Sequence, residues 1–165
     1  MATKSKEELK NAIMHQFEEQ NCRANDIVPM RYWYFTFLRS LNPNEQDMFE
    51  ECVNGLIDEG KIIYEKEVLE CLRLTQDGYE DLYKVRADSQ LEDEIMNRFP
   101  TNCRVGDIIR LSTMWTELRK ELNPKEYDKM IDIINGLIAK GYISYEKTPF
   151  ECLRLEEKGF EYIYR

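Results

Sequence analysis

The stretch Asn54-Gly55-Leu56-Ile57, continued by Gly60, Tyr64-Glu65-Lys66, Glu70-Cys71-Leu72-Arg73-Leu74 and Gly78, occurs a second time beginning at Asn135. Aligning residue n with residue n + 81 from Asn21 to Lys84 gives 64 positions without a gap, of which 27 are identical. Self-similarity at a fixed period indicates a tandem duplication. The sequence therefore predicts two domains, repeat 1 at residues 1–84 and repeat 2 at residues 85–165.

The composition is typical of a globular protein, with 42% hydrophobic and 33% charged residues. No segment approaches the roughly 18 consecutive apolar residues that a membrane helix requires. Residues 1–7 are polar and charged, without the apolar core of a signal peptide. We therefore expect a cytoplasmic protein that does not enter a membrane.

The cysteine and histidine content argues against a metal or redox site. There are five cysteines, a single histidine (His15) and no Cys-x-x-Cys spacing. An odd cysteine count does not fit a secreted disulfide framework, and zinc sites need more ligands at closer spacing. We expect buried, reduced thiols, no metal and no cofactor.

Helix signals recur at equivalent places in both repeats. Ser5 with Glu8 forms a capping-box pattern before the first helix. Asn42-Pro43 and Asn123-Pro124 predict the start of a third helix, which should end at Gly60 and Gly141. Between the first and third helices of repeat 1, a second helix is predicted over residues 30–41, with five core-facing residues: Met30, Tyr34, Phe37, Leu38 and Leu41.

A β-hairpin follows the third helix. Ile62 and Tyr64 alternate with polar or variable residues, as do Leu72 and Leu74, and this period of two predicts paired strands whose four named residues face the core. A closing helix is expected from Thr75 to Tyr83 and from Glu156 to Tyr164. The connection between the repeats is either a short linker ending in a Ser89 and Glu92 capping box or one continuous helix over residues 78–99.

Three helices, a two-stranded β-hairpin and a closing helix resemble the winged helix-turn-helix family in both repeats. The most specific part is the end of the third helix, residues 56–62, together with residues 72–79, which are similar to the last strand and helix of many bacterial winged-helix regulators. The expected fold class is thus α+β, mostly helical, with two tandem winged-helix units. The resemblance implies DNA binding through the third helix in the major groove, with the hairpin as the wing.

The charge distribution favours DNA binding only in repeat 2. The net charge is −9; residues 1–84 carry 10 basic and 17 acidic residues, and residues 85–165 carry 13 and 15. Phosphate contacts require clustered Lys and Arg. The candidate nucleic-acid contacts therefore all lie in repeat 2: Arg110, Arg119, Lys120, Lys125 and Lys129.

An aromatic run in the second helix of repeat 1 predicts a protein interface. Tyr32-Trp33-Tyr34-Phe35-Thr36-Phe37 has five aromatic residues in six positions, which cannot all face one core. Three of them, Tyr32, Trp33 and Phe35, align with Thr113, Met114 and Thr116 of repeat 2. We interpret these three as a contact between repeats or between copies. Local core filling and a small-molecule pocket are the alternatives.

Nothing in the sequence suggests catalysis, because it contains no phosphate-binding loop and no metal-ligand spacing. The repeated Glu65, Glu70 and Arg73 are interpreted as cross-strand ion pairs on the hairpin. We therefore expect a non-enzymatic protein-interaction or regulatory module that binds a protein partner or self-associates. The alternative is a transcriptional regulator that contacts DNA through the third helix of repeat 2.

Overall fold

The computed structural model describes residues 2–165, which form eight α-helices and two three-stranded antiparallel sheets. The α+β class expected from the sequence is confirmed. The chain divides into two compact units, unit 1 at Met1–Lys84 and unit 2 at Val85–Arg165. From the first strand of each unit onward, the strands and their flanking helices occur at positions that differ by 81 residues.

Unit 1 contains four α-helices, one sheet and two short helical turns of other kinds. In chain order these are α1 (Lys6–Glu19), β1 (Ile27–Pro29), α2 (Met30–Tyr32), a π-helical turn (Trp33–Phe37), a 3-10 turn (Leu38–Ser40), α3 (Pro43–Asp58), β2 (Ile62–Glu65), β3 (Cys71–Leu74) and α4 (Gln76–Leu82). The sheet order is β1-β3-β2.

Unit 2 repeats this order with a regular second helix. Its elements are α5 (Asp88–Met96), β4 (Ile108–Arg110), α6 (Leu111–Glu121), α7 (Pro124–Ala139), β5 (Ile143–Glu146), β6 (Cys152–Leu155) and α8 (Glu157–Ile163). The sheet order is β4-β6-β5.

Most of the predicted helix ends are confirmed. The Ser5 hydroxyl accepts a hydrogen bond from the Glu8 amide, and the Glu8 carboxylate accepts one from the Ser5 amide. Asn42 and Asn123 cap α3 and α7 in the same manner. Both helices end two residues before a glycine with positive φ, 75° at Gly60 and 77° at Gly141, a conformation that glycine adopts without steric cost.

The predicted hairpin register is confirmed, but the sheet has a third strand. Ile62 lies opposite Leu74 and Tyr64 opposite Leu72. The strands β1 and β4 were missed because three residues are too short to show a period of two. Tyr64, expected in the core, is 44% exposed, although Leu72 opposite it is fully buried.

The second helix of unit 1 is wound differently from that of unit 2. In the π-helical turn, the Leu38 amide donates to the Trp33 carbonyl, five residues back. The following 3-10 turn is tighter than an α-helix. The wide and tight turns offset each other, and Met30 and Leu41 remain equivalent to Leu111 and Leu122 with no insertion.

The core-facing stripe of this segment differs from the prediction. The buried residues are Met30, Trp33, Phe37 and Leu41, and their equivalents Leu111, Met114, Leu118 and Leu122 are buried in unit 2. Tyr34 is 46% exposed, so assigning it to the core was wrong. Leu38 is half-buried and packs against the core. The wide turn occurs where the bulky indole of Trp33 takes the place of the slender Met114 side chain.

Each unit has its own hydrophobic core, formed between its helices and one face of its sheet. All five cysteines are buried and none forms a disulfide, as predicted. Burial raises the pKa of the Cys22 thiol to about 11.

The continuous helix considered for residues 78–99 is absent, because residues 83–87 are irregular. The predicted Ser89 cap is also wrong. Helix α5 begins at Asp88, and the Gln90 side chain accepts a hydrogen bond from the Ala87 amide at 3.1 Å.

Candidate protein-interaction site

A groove on the surface of unit 1 lies between residues 30–40, which we call the second helical segment, helix α3 and the β2-β3 hairpin. We call it groove 1, and its volume is about 590 Å³. Its lining is predominantly apolar or aromatic: Met30, Tyr34, Leu38, Gln46, Phe49, Glu50, Val53, Asn54, Ile57, Tyr64 and Leu72. Volumes of roughly 300–1,000 Å³ are typical of ligand sites in proteins.

Unit 2 contains the equivalent groove, groove 2, with a volume of about 290 Å³. It is lined by Leu111, Trp115, Ile131, Ile134, Asn135, Ile138, Tyr145 and Leu153. Every one of these residues aligns, 81 positions away, with a residue that lines groove 1. The duplication has therefore preserved a surface cleft as well as the core.

Exposed apolar side chains form much of both grooves. Tyr34 and Tyr64 in groove 1 are 46% and 44% exposed. In groove 2, Ile131 is 62% and Tyr145 46% exposed. Apolar surface concentrated in a concave site marks a binding surface more specifically than scattered exposed residues do.

Tyrosine and glutamate side chains fix the hairpin wall of both grooves. The Tyr145 hydroxyl donates to Glu151 at 2.8 Å, and this hydrogen bond raises the pKa of the phenol. In unit 1, burial and a hydrogen bond with Glu70 raise the pKa of Tyr64, and the Tyr34 hydroxyl lies 3.4 Å from the same carboxylate. Glu70 thus joins two walls of groove 1.

A repeated ion pair braces the opposite side of each hairpin. Arg73 donates through Nε and an η nitrogen to the two oxygens of Glu65, both at 2.7 Å. Arg154 and Glu146 form the same bidentate pair at 2.7 and 2.8 Å. The prediction of cross-strand ion pairs is confirmed for Glu65 with Arg73, whereas Glu70 bonds to tyrosine instead.

The three aromatic residues predicted at an interface lie in different environments. Trp33 is fully buried among Phe17, Phe37 and Phe49, so assigning it to a surface contact was wrong. Tyr32 is half-buried, and its hydroxyl bonds to Gln16.

Phe35 is the exposed member of the predicted set, at 61%, beside the Arg39 guanidinium. It lies outside the lining of groove 1. Tyr34, which the sequence had suggested for the core, lines the groove instead.

Several of the basic residues predicted to contact nucleic acid already have partners within unit 2. The Arg110 guanidinium lies 4.2 Å from the centre of the Phe150 ring. Arg119 donates to the Tyr127 hydroxyl at 3.2 Å, and Lys129 forms an ion pair with Asp88 at 2.8 Å.

Of the other basic candidates, Lys120 is exposed near the end of α6, and Lys125 is half-buried in the first turn of α7, where it also has a partner. The exposed face of α7 itself carries Asp128, Ile131, Asp132, Asn135 and Ala139. Lys129, whose side chain is 44% exposed, lies one turn from Asp132 on the same helix but is already paired with Asp88. The exposed carboxylates of α7 are unfavourable for contact with phosphates.

The grooves were missed in the sequence because their residues come from three separate segments. One signal was available, since Asn54 and Asn135 are identical, exposed and without a capping role. For Trp33 the available signal was its alignment with the apolar Met114, which is typical of a core position.

Within residues 2–165, no helix has both the length and the apolar character needed to cross a bilayer. Comparisons with protein-family models, curated proteins and solved structures gave no match to this chain.

Proposed function

We propose that this chain is a non-enzymatic protein-interaction module made of two winged-helix-like units, each of which binds a partner segment in its groove. The main support for this proposal is that the same cleft occurs in both units, with eight aligned lining residues and exposed aromatic or aliphatic walls. The order of helices and strands in each unit, including a sheet order with the first strand beside the last, supports the winged-helix assignment.

The winged-helix resemblance alone would favour DNA as the ligand. The side chains on the third helices argue for protein instead. The exposed face of α3 carries Asp47, Glu50 and Asp58, and that of α7 carries Asp128 and Asp132. Carboxylates facing a phosphate backbone are repulsive, whereas an apolar cleft between helices fits an apolar side chain of a protein segment.

Peptide selection on the 165-residue chain tests this proposal. A displayed library of random 16-residue peptides is selected on the immobilised protein, and bound clones are measured against groove variants. Tyr34→Ala with Tyr64→Ala alters groove 1, and Ile131→Asp with Tyr145→Ala alters groove 2. All four side chains are at least 44% exposed, so the variants should remain folded by thermal unfolding.

The expected result is that clones lose at least about tenfold in affinity on one groove variant, equivalent to about 1.4 kcal/mol. Val68→Ala at the fully exposed hairpin tip is the control and should leave binding unchanged. Clones that bind all variants equally would show that the grooves are not binding sites.

A salt titration with a mixed-sequence DNA duplex tests the alternative. We expect no measurable binding at low salt. Binding that falls steeply with added salt, and that is abolished by reversing the charges of Arg119, Lys125 and Lys129, would replace the protein-interaction proposal with the DNA-binding one.

A further inference from the structure

We propose that groove 1 takes an amphipathic helix whose apolar residues enter the cleft and whose flank carries Lys or Arg. This inference rests on the proposed function and specifies its ligand for unit 1. It is drawn from the shape of the cleft, the spacing of carboxylates along α3 and the difference between the two units.

The groove follows α3 for almost its whole length. Gln46, Phe49, Val53 and Ile57 line it at successive turns of the helix. The eleven helical steps from Gln46 to Ile57 span about 16 Å, which is the length of three turns of a partner helix. A cleft of this length, with apolar side chains at helical spacing, suits an amphipathic helix that presents residues at i, i+3 or i+4, and i+7.

A stripe of carboxylates runs beside the apolar lining. Asp47, Glu50 and Asp58, with Asn54 between them, are spaced by three or four residues and are all exposed. They therefore lie along one face of α3, and Glu50 also lines groove 1. A helix seated in the cleft would have these side chains along one flank.

The carboxylate stripe is not neutralised by the protein itself. Over the described residues 2–165, Asp47, Glu50 and Asp58 have no basic partner within 4.0 Å, whereas Glu51 beside them pairs with Lys6 at 2.7 Å. Helix α3 contains no Lys or Arg. Uncompensated charge of one sign favours a partner of the opposite sign and raises the rate of association with it.

Unit 2 has the equivalent cleft but not this charge pattern. At the positions aligned with Glu50 and Asp58 it has Ile131 and Ala139. The apolar cleft is thus the shared property, and selection of a basic flank is specific to groove 1. Groove 2, with less volume and an exposed Ile131 in place of a carboxylate, should not distinguish a basic helix from an acidic one.

The experiment uses two capped 14-residue model helices with Leu at positions 1, 4, 5, 8, 11 and 12. The remaining positions are Lys in one peptide and Glu in the other. Affinity for the full chain is measured by fluorescence anisotropy at fixed salt. Stripe neutralisation combines Asp47→Asn, Glu50→Gln and Asp58→Asn, and the control combines Glu19→Gln, Glu67→Gln and Glu161→Gln, which changes the net charge by the same amount.

We expect the Lys peptide to bind more tightly than the Glu peptide and to lose about tenfold in affinity on stripe neutralisation, since each exposed ion pair contributes a factor of about 1.4 to 5. The control should change affinity by less than about twofold. Tyr34→Ala with Tyr64→Ala should also weaken the Lys peptide, because it removes two walls of the cleft.

If stripe neutralisation and the control reduce the affinity for the Lys peptide equally, the inference is overturned, because binding would then follow net charge alone. Equal binding of both peptides, lost in the Tyr34 and Tyr64 variant, would overturn the basic flank but leave groove binding intact. Binding of the Lys peptide that no groove 1 variant weakens would also refute groove 1 as its site.

Discussion

The buried indole of Trp33 provides the sharpest test of the structure of unit 1. Its side chain has no exposed surface, and its ring centre lies 5.2 Å from that of Phe37 and 5.6 Å from that of Phe17. Truncating a buried Trp to Ala costs about 3–5 kcal/mol. At about 0.05–0.15 kcal/mol per residue, a domain of this size has about 4–12 kcal/mol of stability. Trp33→Ala should therefore remove at least about a quarter of it.

Urea unfolding can follow the two units separately, because the chain contains two tryptophans, Trp33 in unit 1 and Trp115 in unit 2. In Trp33→Ala, the remaining fluorescence comes from Trp115, while far-UV circular dichroism follows the helices of both units. We expect an early transition in circular dichroism that has no counterpart in fluorescence.

Trp115→Ala is the matched control. Trp115 is only half-buried and packs edge-on against Tyr127 at 5.4 Å between ring centres, so its truncation should cost clearly less. The reasoning fails if Trp33→Ala costs no more than Trp115→Ala, or no more than the roughly 0.5 kcal/mol of a surface substitution.

Further predictions concern the backbone, acid stability and the thiols. Gly78→Ala should destabilise unit 1, since its Cβ would lie 2.1 Å from a backbone carbonyl oxygen, whereas Gly136→Ala, with no atom within 4 Å, should gain about 0.5–1 kcal/mol in urea unfolding. Hydrogen bonds from Arg73 lower the pKa of Glu65, so this pair stabilises the fold above the unfolded-state pKa of about 4.3 and loses its effect as pH falls through the folded-state pKa. Glu65→Gln should thus lower the melting temperature at pH 7 and flatten its decline between pH 5 and 3. Plots of melting temperature against pH that run parallel for the variant and the unchanged protein would contradict this. Cys22, with its pKa raised to about 11 by burial, should not react with a thiol reagent at pH 8 until urea unfolds the chain, and rapid native-state labelling would show that it is accessible.

Local signals in the sequence were sufficient for most helix and strand boundaries. The Ser5, Asn42 and Asn123 caps and the terminating Gly60 and Gly141 act through hydrogen bonds or backbone geometry within a few residues, so the sequence contains the whole interaction. The hairpin register was also accessible, because substitutions between the repeats distinguish the buried face from the exposed one.

Predictions that depended on distant segments were weaker. A regular helical period assigned Tyr34 to the core and left Trp33 for the surface, but the core contacts of Trp33 come from α1 and α3. The short strands β1 and β4 exist because β3 and β6 offer them backbone partners. Both grooves likewise join the second helical segment, α3 or α7 and the hairpin, and no single window of sequence contains that combination.

The altered winding of residues 33–40 links the core of unit 1 to the wall of groove 1. Trp33 does not line groove 1, yet the wide turn that it begins also contains Tyr34, which lines the groove and lies near Glu70. A core substitution could therefore reposition a binding residue without altering any exposed side chain or the chain length. In a duplicated protein, a core substitution in one unit can thus change its binding surface while the other unit keeps a regular helix at the aligned positions.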